Sequence, residues 1–295
     1  MAEINPRTIE IGLADYLTLQ QRRSLILSDM GIETFRRLFK CNHAEEASQI
    51  VRWIEKGGSR RVLCYGMNGF PDFAGLEKNV PYFLFTEGKM PAEGIRMTAV
   101  GTRRTDWAGL HGAFRLGMEL NLNGIILVTG NAEGCDQALI QGAVSAGGGN
   151  FITVLPCGHE VLYPYNMRYL RDRIIDIGGL IVSPFAPLAP PLKHNFPYRN
   201  QILSAMGQFC IVVQAPLRSG ALITADLAQQ MGKDILVAEC GLGSSVNRRG
   251  SQRLHDDGCL LLSDVFEPPV RVRETGESRN AVRFGNAYYE IIRSL

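Results

Sequence analysis

From residue 95 onward, short apolar runs alternate with longer segments in which apolar residues recur at helical spacing. The apolar runs are Met97–Val100, Gly124–Thr129, Phe151–Leu155, Gly179–Ser183, Phe209–Gln214 and Asp234–Ala238. The helical segments between them are Trp107–Leu122, Cys135–Ala146, Asn166–Ile177, Arg199–Met206 and Gly220–Met231. Buried strands separated by helices are typical of a parallel sheet with helices on both faces. The pattern therefore predicts an α/β, doubly wound fold.

The first 58 residues differ, because their apolar side chains recur only at helical spacing. Such segments cover 14–27, 30–39 and 44–54, and a Gly57-Gly58-Ser59 linker follows. We expect a small helical domain over 1–58, a main domain over 59–265 and a tail over 266–295. The main domain also holds strand candidates at 61–65 and 82–85. In the tail, a helix is expected from Asn280 to Ser294.

The run that ends at Val100 is followed by Gly101-Thr102-Arg103-Arg104 and then by a helical segment. Such a junction leaves helix N–H groups unpaired at the positive end of the helix dipole, which favours an anion. The two arginines add charges and forked donors suited to phosphate. Similar turns at 129–134, 156–159 and 214–220 are expected at the same edge of the sheet. The sequence thus predicts an anion-binding edge, whereas a solvated surface turn is the alternative.

The segment Lys193–Asn200 is a second candidate site, and we expect it to lie on a loop. It combines basic side chains with two aromatic rings, Phe196 and Tyr198. Cations that hold phosphates beside rings that stack on bases are the composition of a platform for single-stranded nucleic acid. The alternative is a loop whose rings only anchor it to the core.

Composition limits the other classes of function. The net charge is only +2, from 31 basic and 29 acidic residues, so a polyanion would require a local concentration of positive charge. No apolar run is long enough to span a membrane, and the N-terminus lacks the apolar core of a signal peptide. The seven cysteines form no Cys-x-x-Cys pair, which favours a reducing compartment. We expect a cytoplasmic protein with no membrane association and no metal.

Taken together, these junctions resemble the DprA/Smf family of DNA-processing proteins. The matching motifs, in the family's order and spacing, are Val100-Gly101-Thr102-Arg103, Thr129-Gly130-x-Ala132-x-Gly134-x-Asp136, Tyr163-Pro164-x-Asn166, Phe196-Pro197-x-Arg199-Asn200 and Ser219-Gly220-x-Leu222-Ile223-Thr224-Ala225. The resemblance covers about residues 60–265, with a weaker similarity to the family's N-terminal helices, of the SAM or helix-hairpin-helix type.

The resemblance implies an extended Rossmann-like domain that binds single-stranded DNA, protects it during natural transformation and loads RecA recombinase onto it. Members are usually homodimers with no known catalytic activity. We expect this chain to be a homodimer without a cofactor. Carried over to this sequence, the DNA-binding residues are Gly101, Thr102, Arg103, Lys193, Phe196, Arg199, Asn200, Ser219 and Gly220. Among them, Arg103 and Lys193 would contact phosphates and Phe196 would stack on a base, while Gly101, Thr102, Ser219 and Gly220 would offer backbone donors.

The sequence also departs from the family's pattern. Glu133 stands where members usually have arginine, which places an anion beside the expected phosphate path. Gln201 follows the Arg-Asn pair where arginine is common. We recognise no winged-helix domain in the tail, although some members carry one.

Two enzymatic alternatives remain open at this point. The first is a nucleotide-directed enzyme of the phosphoribohydrolase type, with Glu133 and Asp136 as an acid–base pair. Its glycine-rich loop would have to be Ala143–Asn150, which precedes a strand and so lies at the wrong end for that chemistry. The second is a dinucleotide-dependent oxidoreductase, which the turn at Gly101 disfavours because it lacks the second glycine. Trp53 and Trp107 are expected in the core.

Overall fold

The central feature of the fold is a mixed sheet with helices on both faces. The computed structural model describes residues 4–73, 75–76, 79–165 and 167–263, together with the backbone of 281–284 and 287–290. Its strands are β1 (Arg60–Cys64), β2 (Phe83–Gly88), β3 (Arg96–Val100), β4 (Ile126–Thr129), β5 (Phe151–Val154), β6 (Leu180–Ser183), β7 (Phe209–Val212), β8 (Ile235–Ala238) and β9 (Leu260–Leu262). In space their order is β1-β2-β6-β5-β4-β3-β7-β8-β9.

Strands β3 to β9 are all parallel to one another. At the edge of the sheet, β2 pairs antiparallel with β6, and β1 pairs antiparallel with β2. The chain steps outward from β3 through β4 and β5 to β6, and then returns to place β7 on the other side of β3. The order reverses between β3 and β7. In sheets of this kind, the carboxyl ends of the strands at the reversal flank the crevice where ligands bind.

The helices are α1 (Pro6–Leu13), α2 (Leu19–Leu27), α3 (Ile32–Phe39), α4 (Ala44–Glu55), α5 (Trp107–Leu122), α6 (Cys135–Ser145), α7 (Met167–Asp176), α8 (Asn195–Met206), α9 (Gly220–Gln230) and α10 (Arg249–Asp256). Helices α5, α6 and α7 cover one face of the sheet, where Leu116, Leu139 and Ile174 share a core with Met97. Helices α8 and α9 cover the other face through residues such as Ile202. The predicted doubly wound architecture is confirmed.

Helices α5 and α6, which follow β3 and β4, pack closely against each other. A Cβ atom added at Gly117 would lie 2.0 Å from the carbonyl oxygen of Leu139, and one added at Gly142 would lie 1.8 Å from that of Phe114. The two backbones can approach this closely only because neither position carries a side chain. The amino ends of both helices are therefore held beside the carboxyl ends of β3 and β4.

The N-terminal helices pack against the antiparallel edge of the sheet. Trp53 of α4 is buried against Phe85 of β2, with ring centroids 5.9 Å apart. Arg60 of β1 adds to this contact, because it donates hydrogen bonds to the Trp53 carbonyl at 3.3 Å and to the buried Glu87 carboxylate of β2 at 3.1 Å. Glu87 also accepts a hydrogen bond from Arg171 of α7. The helices lie within the range predicted for them, but they share one core with the sheet edge.

The structure corrects the expectation for the tail. The described segments Ala281–Phe284 and Ala287–Glu290 pair as antiparallel strands, so the helix expected from Asn280 to Ser294 is wrong at these residues. The sequence does contain a hairpin signal, since two short segments with β-branched and aromatic residues flank Gly285-Asn286. The rest of 266–295 lies outside the described residues. Within the part of the chain that the structure describes, no helix is long and apolar enough to cross a membrane.

Candidate nucleic-acid interface

A groove runs along the carboxyl ends of β3, β4 and β7, at the point where the strand order reverses. It consists of two adjoining cavities of about 300 and 460 Å³. The smaller, here called the aromatic cavity, is lined by Tyr163, Tyr165 and Glu133 among others. The larger, here called the basic cavity, is lined by residues that include Arg104 and Arg218. Both cavities share Arg103, Ala132, Phe196 and Arg199, so the two form one continuous surface.

Arg199 and Asp136 form the floor of the groove. They are only 4% and 3% exposed, and Nη1 of Arg199 lies 4.0 Å from Oδ2 of Asp136. The Asp136 carboxylate also accepts hydrogen bonds from the backbone N–H groups of Gly101 and Ala132, both at 3.2 Å. Asp136 therefore ties together the turns that follow β3 and β4.

The floor leaves no room for a side chain at Gly130. A Cβ atom there would lie 1.3 Å from Nη1 of Arg199, so glycine is required for the guanidinium to reach Asp136. Burial raises the pKa of the Asp136 carboxyl, while Arg199 and the backbone N–H groups oppose that rise. Burial likewise lowers the pKa of the Arg199 guanidinium, and Asp136 opposes the change. The positive charge of Arg199 and the negative charge of Asp136 thus offset each other's cost of burial.

Three exposed arginines form the rim of the groove. Arg103 and Arg104 follow β3, and Arg218 follows β7, so the strand reversal brings them together. None of the three forms an ion pair with another described residue. The guanidinium of Arg103 lies over the Phe196 ring, 5.3 Å from its centroid. A cation without a carboxylate partner is available to a phosphate.

The predicted backbone donors have different environments. The N–H of Gly101 bonds to Asp136, and that of Thr102 bonds to the Gln214 carbonyl at 2.7 Å, so neither is free for a ligand. Ser219 caps helix α9, because its hydroxyl accepts a hydrogen bond from the N–H of Leu222 at 3.3 Å. Gly220 opens that helix and lines the basic cavity. The amino end of α9, which is the positive end of the helix dipole, thus lies at the groove.

The segment 193–200 corrects a local prediction. We expected it to be a loop with a helix starting at Arg199, but helix α8 begins at Asn195. Pro197 does not prevent this, because proline is tolerated in the first turn of a helix. Arg199 and Asn200 follow Phe196 by three and four positions, so the three residues lie on one face of that helix, and all of them line the basic cavity.

Lys193 precedes α8, is exposed and lies outside the residues that line either cavity. Phe196 contacts Tyr163 edge-on, with centroids 5.7 Å apart, and is half-buried between the two cavities. Sequence reasoning did not single out Tyr165 or Arg218 as site residues. Arg218 carried a usable signal, since it lies in a turn at the binding edge. Tyr165 carried none, because its place in the groove depends on the path of the chain after β5.

The structure separates the parts that an enzymatic site would need. Glu133 is exposed in the aromatic cavity, whereas Asp136 is buried in the ion pair of the floor, so the two do not form an acid–base pair. The glycine-rich residues 147–149 lie between α6 and the start of β5, at the edge opposite the groove. Among the described residues, no group of three or more His, Cys, Asp or Glu side chains is placed to hold a metal ion.

Comparison with known proteins identifies the family. The sequence matches the model of the family "DNA recombination-mediator protein A" over residues 61–267. The chain belongs to this family. Among curated members, it is 31% identical over 188 residues to Protein Smf of Escherichia coli, covering 63% of this chain and 50% of that protein. It is 32% identical over 186 residues to DNA processing protein DprA of Streptococcus pneumoniae, covering 63% and 64% of the two chains.

Solved structures of the family share the fold. The crystal structure of DprA from Streptococcus pneumoniae superimposes with a TM-score of 0.66 at 23% identity, covering 88% of this chain and 91% of that one. DprA from Helicobacter pylori, whose structure was described for its binding of single-stranded DNA, gives a TM-score of 0.60 at 26% identity, covering 70% and 91%. The chain spans about half the length of the E. coli relative, and the family match confirms the resemblance seen in the motifs.

Proposed function

We propose that this chain binds single-stranded DNA in the groove and acts as a DNA-processing protein in transformation or recombination. The observation that carries the proposal is the combination of a rim of arginines with no acidic partner and the Phe196 ring at the point where the strand order reverses. Membership in the DNA recombination-mediator protein A family supports it, as does the single-stranded DNA bound by the H. pylori relative.

The chemistry of the groove favours single strands over duplex. Phe196 can stack only on a base whose face is open, and bases in a duplex are covered by their neighbours. Phosphates would be held by Arg103, Arg104 and Arg218, with Lys193 just outside the groove and Gly220 at the amino end of α9. Since Arg103 covers one face of Phe196, we infer that an incoming base takes the place of the guanidinium, which then turns to the phosphate.

The groove supports binding without a chemical step. Its two carboxylates among the described lining residues are Glu133 and Asp136, and Asp136 is already buried against Arg199. Release of base from nucleoside monophosphates by the purified chain would instead support the phosphoribohydrolase-like alternative. We propose no cofactor for the binding function.

Fluorescence anisotropy with a labelled oligothymidine tests the proposal. We expect tight binding that weakens as salt rises from about 50 to about 200 mM, because phosphate contacts release counterions. Unlabelled duplex of the same length and sequence is expected to compete poorly. The double variant Arg103→Ala/Lys193→Ala is expected to lose most of the affinity while keeping the thermal unfolding midpoint of the wild type. Absence of binding at low salt, or equal competition by duplex, would contradict the proposal.

Partners form a separate part of the proposal. We propose that the chain is a cytoplasmic homodimer that protects single strands and helps to load a RecA-type recombinase onto them, as the family resemblance implies. Sedimentation equilibrium tests the dimer, and a strictly monomeric mass at micromolar concentration would contradict it. Recombinase nucleation on DNA coated with single-strand-binding protein tests the loading role, and an unchanged rate in the presence of this chain would contradict it.

A further inference from the structure

Trp107 is the more exposed of the two tryptophans, and it is not among the residues that line the groove. Its side chain is 77% exposed, whereas Trp53, the other tryptophan, is 2% exposed. The expectation that Trp107 belongs to the core is therefore wrong. Tryptophan is highly buried on average, so an indole left this open to water invites a functional explanation.

The indole is held in a defined position. Trp107 is the first residue of α5, and its ring stacks on that of His111 one turn later, with centroids 5.1 Å apart and planes at 9°. Residues four apart lie on one face of a helix, so this stacking follows directly from the spacing. The imidazole supports one face of the indole. A ring that is already ordered loses little conformational freedom when a second ring stacks on it.

The basic cavity extends to the start of this helix. Arg104 lines the cavity and lies only three residues before Trp107. Asp106 caps α5 by accepting a hydrogen bond from the N–H of Gly109. Its carboxylate also forms an ion pair with Arg248, whose Nη2 lies 2.9 Å from Oδ2 of Asp106. Arg248 follows Val246 and Asn247, both of which line the cavity. Trp107 therefore begins α5 within three residues of Arg104, which lines the basic cavity.

We propose that Trp107, supported by His111, is a second stacking platform, which holds a base of the single strand where the strand leaves the basic cavity. The inference rests on the proposed function of the groove. Its occupant is a single-stranded nucleic acid because Trp107 follows Arg104, an exposed rim arginine that forms no ion pair with another described residue, by three positions in the chain. Stacking on an aromatic ring beside cations is the general means by which proteins hold single strands without reading their sequence.

Trp107 can report on its own occupancy. In a titration with oligothymidine, a base that stacks on the exposed indole quenches its fluorescence, while the buried Trp53 supplies a constant background. We expect quenching with an oligonucleotide of about 20 nucleotides and little with one of about 6, which fills the groove only. Anisotropy of the labelled oligonucleotides, measured in the same samples, reports binding independently of the indole.

Two substitutions at Trp107 test whether the aromatic ring itself contributes to binding. Trp107→Leu removes the aromatic ring, and we expect it to weaken binding of the longer oligonucleotide roughly tenfold, within the range for one base stacked on a ring. Trp107→Phe keeps a smaller ring and is expected to lose only about twofold. Affinity for the short oligonucleotide is expected to stay unchanged in both variants, which also shows that they are folded.

The outcomes distinguish this inference from the proposed function. Binding of the longer oligonucleotide without quenching, and with equal affinity in Trp107→Leu, overturns the platform and leaves the groove intact. No binding of either oligonucleotide overturns both. A shift of Trp107 emission that depends on protein concentration in the absence of DNA identifies a protein contact at this ring instead, and also overturns the proposal.

Discussion

The floor and the rim of the groove contain the same kind of side chain in opposite surroundings. Arg199 in the floor is 4% exposed and paired with Asp136, while Arg103 on the rim is exposed and rests on the Phe196 ring. A buried arginine compensates a buried carboxylate, so its removal is expected to affect folding first. An exposed arginine without an acidic partner contributes little to folding and is available to a ligand. A motif match therefore does not by itself separate a residue that contacts a ligand from one that stabilises the fold.

The largest expected effect separates the two arginines by stability. Arg199→Met leaves the Asp136 carboxylate buried without its cation, which costs about 3–5 kcal/mol of unfolding free energy. Arg103→Met is expected to cost less than about 1 kcal/mol, because its guanidinium lies at the surface. Urea unfolding followed by circular dichroism measures both values. Equal losses in the two variants would break the distinction between floor and rim.

Glu87, a second buried charge on the antiparallel edge of the sheet, makes stability depend on pH. Burial raises the pKa of Glu87, but His159, Arg171 and Arg60 outweigh this effect and hold that pKa at about 2. Because the folded pKa lies below the unfolded value of about 4.5, the stabilisation is complete above pH 4.5 and is lost as the pH falls towards 2. The expected loss is about 3 kcal/mol.

Unfolding free energies measured across this pH range check the prediction. In Glu87→Gln, the part of the pH dependence that belongs to this carboxylate is expected to disappear, whereas Glu33→Gln, at an exposed site, is expected to keep the wild-type profile. DNA affinity at neutral pH is expected to remain within twofold of wild type in Glu87→Gln. A wild-type pH profile in that variant would refute the role given to the Glu87 cluster.

Much of the architecture could be predicted from the sequence, because the spacing of apolar residues indicates which side chains are buried. The helix over Trp107–Leu122 has the predicted bounds, and the six parallel strands lie where the apolar runs indicated. The start of α8 could not be located, since a proline followed by mixed aromatic and polar residues fits a loop as well as a first turn. The burial of Arg199 could not be predicted from the sequence either. It depends on Asp136, which is 63 positions away in the chain and approaches only after the sheet has formed.

A smaller effect is expected for single charges on the rim. Arg218→Ala is expected to weaken oligothymidine binding by about tenfold, or ~1.4 kcal/mol, because one charge-assisted contact to phosphate is lost. Arg61→Ala removes an exposed arginine from β1 at the far edge of the sheet and serves as the matched control. Anisotropy at fixed salt compares the two. Similar losses in both variants would indicate a diffuse charge effect and not a defined rim.

The smallest expected effect is a gain. Glu133 is exposed in the aromatic cavity, where an anion would repel the phosphates of a strand bound in the groove. Glu133→Gln is expected to raise the affinity about two- to threefold at low salt, and less at high salt, because salt screens exposed charges. Anisotropy at two salt concentrations measures the change. A loss of affinity in this variant would show that Glu133 contributes a favourable contact.

The salt dependence of oligothymidine binding tests most directly the claim that the rim holds the phosphates. The slope of log affinity against log salt is to be compared between the wild type and Arg103→Ala/Arg104→Ala/Arg218→Ala, at matched thermal stability. Each lost phosphate contact with a single strand reduces the slope by about 0.7, so we expect a reduction of roughly 2. A weaker complex with the wild-type slope would contradict the account, because the three arginines would then act through something other than phosphate contact.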